Sequence, residues 1–307
     1  MKLVTIDTPY GLRVGAMEAD GYVDLNAAEN MRIKGDFGRA HHRTMTMATE
    51  SVPEEMMRFL AGGKSAIEAA RQALAFAQKQ DRKGLPWYPL DTPLGAPVPN
   101  PGKLYVMRGN YRGHVMEVAA RISIDTTPPD RPRFFAKATS CVVGPGKPVI
   151  LPRLSKAVQH EVELAVIIGK RARNVSIEQA DEYIAGYTIF LDMSARDLSQ
   201  RDDRWKSFDT FGPMGPCWVP VADIGDPHKL SIKLSVNGEV HQNGTTADLD
   251  FKVQQIVSFM SEAYTLHPGD MISTGTPEGA QVIKVGDVME AEIENIGTFT
   301  IPVVAET

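Results

Sequence analysis

Residues 160–169 read HEVELAVIIG: a histidine, two acids separated by a valine, a run of five apolar residues and a glycine. A β-branched apolar run of this length, stopped by glycine, predicts a buried strand. Side chains alternate along a strand, so Glu161 and Glu163 share a face with Ala165 and Ile167. Carboxylates two residues apart on a strand lie roughly 6–7 Å from each other. At an effective dielectric of about 20 they repel by about 2.5 kcal/mol, and burial enlarges that figure. A solvated strand end would carry such a pair without cost. A strand entering a core would need a cation to hold it.

Outward from this strand, the chain downstream of residue 103 is dominated by strand-like runs: KPVILP, YIAGYTIFLDM, LSIKLSVNGEV, DMISTG and DVMEAEIENIGTFTIPVVAE. Asn237-Gly238 predicts a hairpin turn, because both residues tolerate positive φ. Only SIEQADEYIAG and FKVQQIVSFMSEAY read as helices there. Upstream, PWYPLDTPLGAPVPNP places six prolines in sixteen positions, which favours an extended connector. Before it come short alternating strands, then two helices in PEEMMRFLAGG, opening at Pro53, and KSAIEAARQALAFAQKQ. His41 and His42 are expected in a solvated loop. The expected fold is α+β and mainly β: a rolled, barrel-like mixed sheet with a small N-terminal α+β domain. Its divisions are residues 1–85, a proline-rich linker over 86–102, and a principal domain over 103–307.

Composition narrows the function. The 307 residues are 43% hydrophobic and carry a formal net charge of −5, with no basic cluster dense enough to neutralise a row of phosphates. Nucleic-acid binding is therefore not expected. No segment approaches the roughly 18 apolar residues that span a bilayer, and the start, MKLVTIDTPYG, has only a short apolar stretch, so no membrane association and a cytoplasmic location are expected. Cys141 and Cys217 sit in apolar contexts and read as buried thiols.

A third acid changes the weight of the glutamate pair. Asp192 leaves the strand-like YTIFL and opens DMSARD, so three carboxylates at the ends of two buried strands would make an open Mg²⁺ site with room for water and substrate. His114 and Glu117 are three apart, which on a helix lets a carboxylate orient an imidazole for proton transfer; a surface pair has the same spacing. Lys137 follows two aromatics and Lys206 lies between Trp205 and Phe208. Either can stabilise an oxyanion, or both can run past apolar neighbours. Arg196 can grip a carboxylate of the site or substrate, or pair with Asp192 or Asp197. Thr276 stands at a glycine-rich strand exit suited to a carboxylate, or merely in a turn. The stretch AARISIDTTPPDRP is poor helix material and suits a lid.

HEVELAVIIGKRARNV, LDMSARD, KSFDTFGPMGP and STGTPEG, with GNYRGHVMEV upstream, together resemble the fumarylacetoacetate hydrolase family, in particular its bacterial acylpyruvase-like and 2-hydroxyhepta-2,4-diene-1,7-dioate isomerase-like members. The resemblance runs from about residue 103 to the end. It implies a rolled β fold and Mg²⁺ or Mn²⁺ held by Glu161, Glu163 and Asp192. It also implies a catalytic His114–Glu117 dyad, Lys206 as active-site lysine, a homodimer, and a small N-terminal domain like that of many bacterial members. In many relatives glutamine stands two residues after the second aspartate of the DxSARD motif; here that position is Ser199, and Gln200 follows as the nearest substrate contact of that type.

The implied substrate is a small anionic 2-oxo acid. Hydrolysis of a carbon–carbon bond in an acylpyruvate or fumarylpyruvate-like 1,3-diketo acid comes first, on the strength of the dyad. Isomerisation or decarboxylation of a 2-hydroxyhepta-2,4-diene-1,7-dioate-type intermediate of aromatic catabolism is the alternative, and a non-catalytic small-molecule binder is the reading from another class. A two-metal phosphoesterase is disfavoured, since no HxH motif supplies a second metal.

Overall fold

The structure, a computed structural model, describes residues 1–37, 41–80, 84 and 86–307. The strand Val162–Ile168 is buried at every residue. It runs antiparallel between Ile184–Leu191 on one side and Met271–Ser273 on the other. Its β-branched side chains suit a strand covered on both faces. These three belong to a large mixed sheet that continues through Leu104–Met107 to Phe134–Ala136 in one direction. In the other it passes through Gly212–Pro220 to Leu3–Thr8, Gly11–Glu18, Gly21–Asp24 and Trp87–Tyr88.

A second sheet, in the order Glu239–Thr245, Ser231–Val236, Val288–Ile293, Gly297–Ala305 and Val149–Leu151, packs across the first. Its alternation is visible in the sequence: Met289, Ala291 and Ile293 are buried while Val288, Glu290 and Glu292 are exposed. Asn237 and Gly238 turn its hairpin with φ of +52° and +84°. The architecture is mixed and mainly sheet, as expected, but the sheets stay open and do not close into a barrel.

Several local expectations change. His41 opens a helix, His41–Ser51, and does not lie in a loop. Leu25–Phe37 is a second unforeseen helix, whose sequence carries no clean apolar stripe. The helix expected from Pro53 begins at Met56, and the one expected in SIEQADEYIAG is a 3₁₀ segment, Ile177–Tyr183. Gly212–Pro220 is a strand despite three prolines. Its ladder with Ile184–Leu191 shifts register between Thr188 and Ile189, and Pro216 falls within that shift, where no ladder bond is needed. The proline-rich connector contributes the short strands Trp87–Tyr88 and Leu94–Gly95, the first at a sheet edge. Leu3 pairs with Trp218, so the N-terminal strands continue the same sheet. Among the described residues, no helix is long and apolar enough to cross a membrane.

Candidate metal centre and active site

Antiparallel register creates the site. Val162 faces Leu191 and Glu163 faces Phe190, so one step beyond the ladder Glu161 faces Asp192, whose N–H donates to the Glu161 carbonyl at 2.9 Å. Glu163 lies two residues along the same face. All three carboxylates are buried, and a ligand oxygen of each lies within 4.8 Å of the others.

Three cations converge on this cluster. Lys137 Nζ donates to Asp192 Oδ1 and, at 3.2 Å, to the Met193 carbonyl. Lys206 Nζ donates to Glu161 Oε2 at 2.9 Å and to Asp192 Oδ2. Arg196 donates through Nη2 to Glu161 Oε1 and through Nε to Gln159 Oε1 at 3.0 Å. Arg196 thus pairs with a carboxylate of the site, while Asp197 accepts from Ser155 and the Lys156 N–H. Both lysines reach the cluster, so their aromatic neighbours do not simply flank apolar stems.

Glu163 is held differently. Its Oε2 accepts from Ser273 Oγ at 2.6 Å and from the Gly275 N–H at 2.8 Å, and among the described residues it has no salt bridge. Burial first, and then the charge of Asp192, pushes its carboxyl upward. Burial acts against ionising Glu161 too, but Arg196 and then Lys206 outweigh it and hold that carboxyl far below the usual range; His114 contributes after them. Gly275 has φ of +99°, and a Cβ there would come within 3.0 Å of Asn110 Cβ. The strand exit therefore does bind a carboxylate, that of Glu163. Thr276 Oγ1 donates to the Val162 carbonyl at 2.8 Å and accepts from Gln242 at 2.8 Å.

His114 and Glu117 lie on the helix Arg112–Ala119. Asn110 ties this helix to the strand exit through the Phe251 and Thr274 carbonyls and the Phe251 N–H. His114 is buried, its Nδ1 3.5 Å from Glu117 Oε2 and without a hydrogen-bond partner. Glu117 accepts from the Gly279 N–H at 3.0 Å and from Arg121 at 2.9 Å. Burial raises its carboxyl, but His114 and these donors bring it below the ordinary value. Gln200 is exposed in the turn that follows Arg196–Leu198, and no hydrogen bond joins it to the cluster among the described residues.

Sequence reasoning assigned no role to Ser273, Gly275, Gln242 or the pair His160–His241. Gln242 is fully buried and accepts from the Val162 N–H at 3.1 Å, fixing the start of the glutamate strand. His160, adjoining Glu161, lies 3.1 Å from Gln242 Oε1 and 2.9 Å from His241 Nδ1. Burial holds its imidazole down to about 4, so it is neutral at pH 7. Histidine before the glutamates and serine before TGTP were visible in the sequence, but the partners of His160 are 81 and 82 residues away and that of Ser273 is 110 away.

An all-oxygen donor set of three buried carboxylates fits a hard divalent cation such as Mg²⁺ or Mn²⁺. Glu163, buried beside Asp192 without a cation of its own, is the carboxylate such an ion relieves most.

Residues 103–304 match the family described as Fumarylacetoacetate (FAA) hydrolase C-terminal. A maleylpyruvate hydrolase of Aquipseudomonas alcaligenes is 45% identical over 69% of this chain and 76% of its own length. The mitochondrial oxaloacetate tautomerase FAHD2A of Bos taurus is 35% identical over 97% of this chain and 90% of its own. The crystal structure of a maleylpyruvate hydrolase from Sphingobium sp. SYK-6, in complex with manganese (II) ion and pyruvate, superposes with a TM-score of 0.76 at 31% identity, covering all of both chains.

Proposed function

The chain belongs to the fumarylacetoacetate hydrolase family, and from that premise we propose that it is a divalent-metal-dependent hydrolase. Its substrate is a small anionic 2-oxo, 1,3-diketo acid of the acylpyruvate or fumarylpyruvate kind, in which it cleaves a carbon–carbon bond. The observation that carries this reading is the convergence of Glu161, Glu163 and Asp192 with Lys206 and Arg196. The manganese and pyruvate of the Sphingobium hydrolase support it.

Glu161, Glu163 and Asp192 would hold the ion, which would supply Lewis-acid polarisation of the substrate's carbonyl oxygens. The chain's own groups do the rest. Arg196 takes the substrate carboxylate, Lys206 faces the oxygen on which charge develops, and Lys137 holds Asp192 in place. Thr276 and Gln200 would contact the remainder of the substrate. His114, oriented by Glu117, takes a proton from water as the water adds to the distal carbonyl. The carbon–carbon bond then breaks, the acyl group leaves as a carboxylic acid, and the pyruvate carbon takes back a proton. The segment 119–132, exposed or half-buried throughout, would close over the substrate and exclude water.

Proton shuttling by the same His114, without water addition, gives an isomerase or tautomerase, and the bovine relative supports that second reading. Residues 1–85 would form the accessory N-terminal module and 103–307 the catalytic unit, a division supported by the limits of the family match. Two such 33.6 kDa chains would form a homodimer; sedimentation as a monomer at micromolar concentration would speak against it. The decisive experiment is a panel of acylpyruvates, 2-hydroxydienoic acids and oxaloacetate, assayed with and without Mg²⁺ or Mn²⁺. Release of pyruvate from acylpyruvates in the presence of metal supports the hydrolase; tautomerisation alone supports the alternative; inertness towards all of them rejects both.

A further inference from the structure

The indole of Trp205 is half-buried and serves two cations at once. Arg196 Cζ lies 5.4 Å from its ring centroid and Lys206 Nζ lies 4.8 Å from it. A second ring, Phe135, lies 4.9 Å from the same ammonium. Two of the three Lys206 N–H groups are taken by Glu161 and Asp192, and the third meets no oxygen among the described residues. The ammonium is therefore bounded by two carboxylates and two π faces. Aromatic faces attract a cation without neutralising it and offer no competing oxygen acceptor. A hydrated neighbour would leave the lysine free to swing and would screen its charge.

We propose that Trp205, with Phe135 behind it, is a positioning residue for Lys206 and Arg196, holding both side by side so that together they receive the carboxylate and enol oxygen of a 2-oxo acid. The inference rests on the reading of those two cations as the substrate-binding pair. It names aromatic rings, and not only the charged residues, as part of what selects an anionic planar head group. The loop supports this placement: Asp202 caps the 3₁₀ turn Asp203–Lys206 by accepting from the Arg204 N–H, which fixes Trp205 and Lys206 in register.

The test separates ring electronics from ring volume. Trp205→Phe keeps a π face; Trp205→Leu fills space without one. In the Mn²⁺-loaded protein, calorimetry with pyruvate measures the head-group site independently of turnover, and acetopyruvate hydrolysis gives kcat and KM. Trp205→Leu is expected to weaken pyruvate binding and raise KM by about five- to tenfold, with kcat changed less, while Trp205→Phe stays within about threefold of the parent. Mn²⁺ affinity and melting temperature should be unchanged in both. Parental pyruvate affinity in Trp205→Leu, or equal damage in both variants, overturns the proposal. A parent that neither binds pyruvate nor cleaves acetopyruvate overturns the underlying functional reading instead.

Discussion

The carboxylate cluster and the helix Arg112–Ala119, whose His114 acts electrostatically on Glu161, are built in opposite ways. At the cluster, Glu161, Asp192 and one oxygen of Glu163 are each fixed by at least two donors, within or one residue beyond strands buried through their length. On the helix, only His114 is buried, its Nδ1 lacks a partner, and residues 120–133 that follow include no buried side chain and no regular element. A group that must keep one geometry is best placed on paired strands, where neighbours over-determine it. A group that must move a proton is better left short of its final hydrogen bonds, which tighten when substrate arrives.

The largest test of this contrast removes a ligand from the rigid half. Glu163→Ala is expected to weaken Mn²⁺ binding by more than about 100-fold in calorimetry and to abolish the metal-linked rise in melting temperature. Binding as tight as the parent's would mean that the cluster is a structural ion-pair network and nothing more.

Next comes the loose half. His114→Ala should lower kcat by about 10² to 10⁴ while leaving Mn²⁺ affinity intact, and Glu117→Gln should lower it less, because it orients the imidazole and does not carry the proton. Near-parental turnover in His114→Ala would make the helix a bystander.

A finer test probes the support of the cluster. Ser273→Ala removes the 2.6 Å bond to Glu163 and leaves the Gly275 N–H. Metal affinity should fall about tenfold, with kcat near parental once metal is saturating. A fall in kcat at saturating metal would show that Ser273 acts on substrate and not through Glu163.

The two halves also differ in how far the sequence disclosed them. HEVEL and LDMSARD show local periodicity and strand exits, so the three acids could be grouped from the sequence, and the family resemblance named them as ligands. That Glu161 faces Asp192 depends on register between strands about thirty residues apart, and nothing local encodes it. Ser273, Gly275 and Gln242 are invisible for the same reason: serine, glycine and glutamine have no signature until a partner strand is set beside them. His114 and Glu117 were named from helical spacing, and the helix formed, but their 3.5 Å separation follows from how Asn110 and Gly279 seat it. In the fold, the alternating second sheet was readable from its pattern. The helices Leu25–Phe37 and His41–Ser51 were not, since their polar-rich sequences are decided by packing on the sheet and on Gly63–Gln78.

The smallest effect expected is on the thiols, and it tests whether the rigid half is closed on the time scale of chemistry. Cys217 lies in the strand Gly212–Pro220 and Cys141 in the turn Thr139–Cys141; both are fully buried. Burial pushes the Cys217 thiol up to about 12 and the Cys141 thiol up to about 11. At pH 8 both should resist a thiol reagent for as long as the sheet stays intact, whereas Met116→Cys, exposed on the helix Arg112–Ala119, should react at once. The sign of the pH effect follows from linkage. The unfolded thiols lose their protons near pH 9 and the folded ones keep theirs, so this stability is complete below pH 9 and is lost as pH rises from 9 towards 11 or 12. The slope contributed by one such thiol is at most about 1.4 kcal/mol per pH unit. Cys217→Ala should therefore show a shallower fall in melting temperature between pH 9 and 10.5 than the parent. Rapid labelling of both native cysteines at pH 8 would mean that the sheet carrying the cluster opens as readily as the helix Arg112–Ala119 exposes Met116→Cys, and the contrast between the two halves would fail.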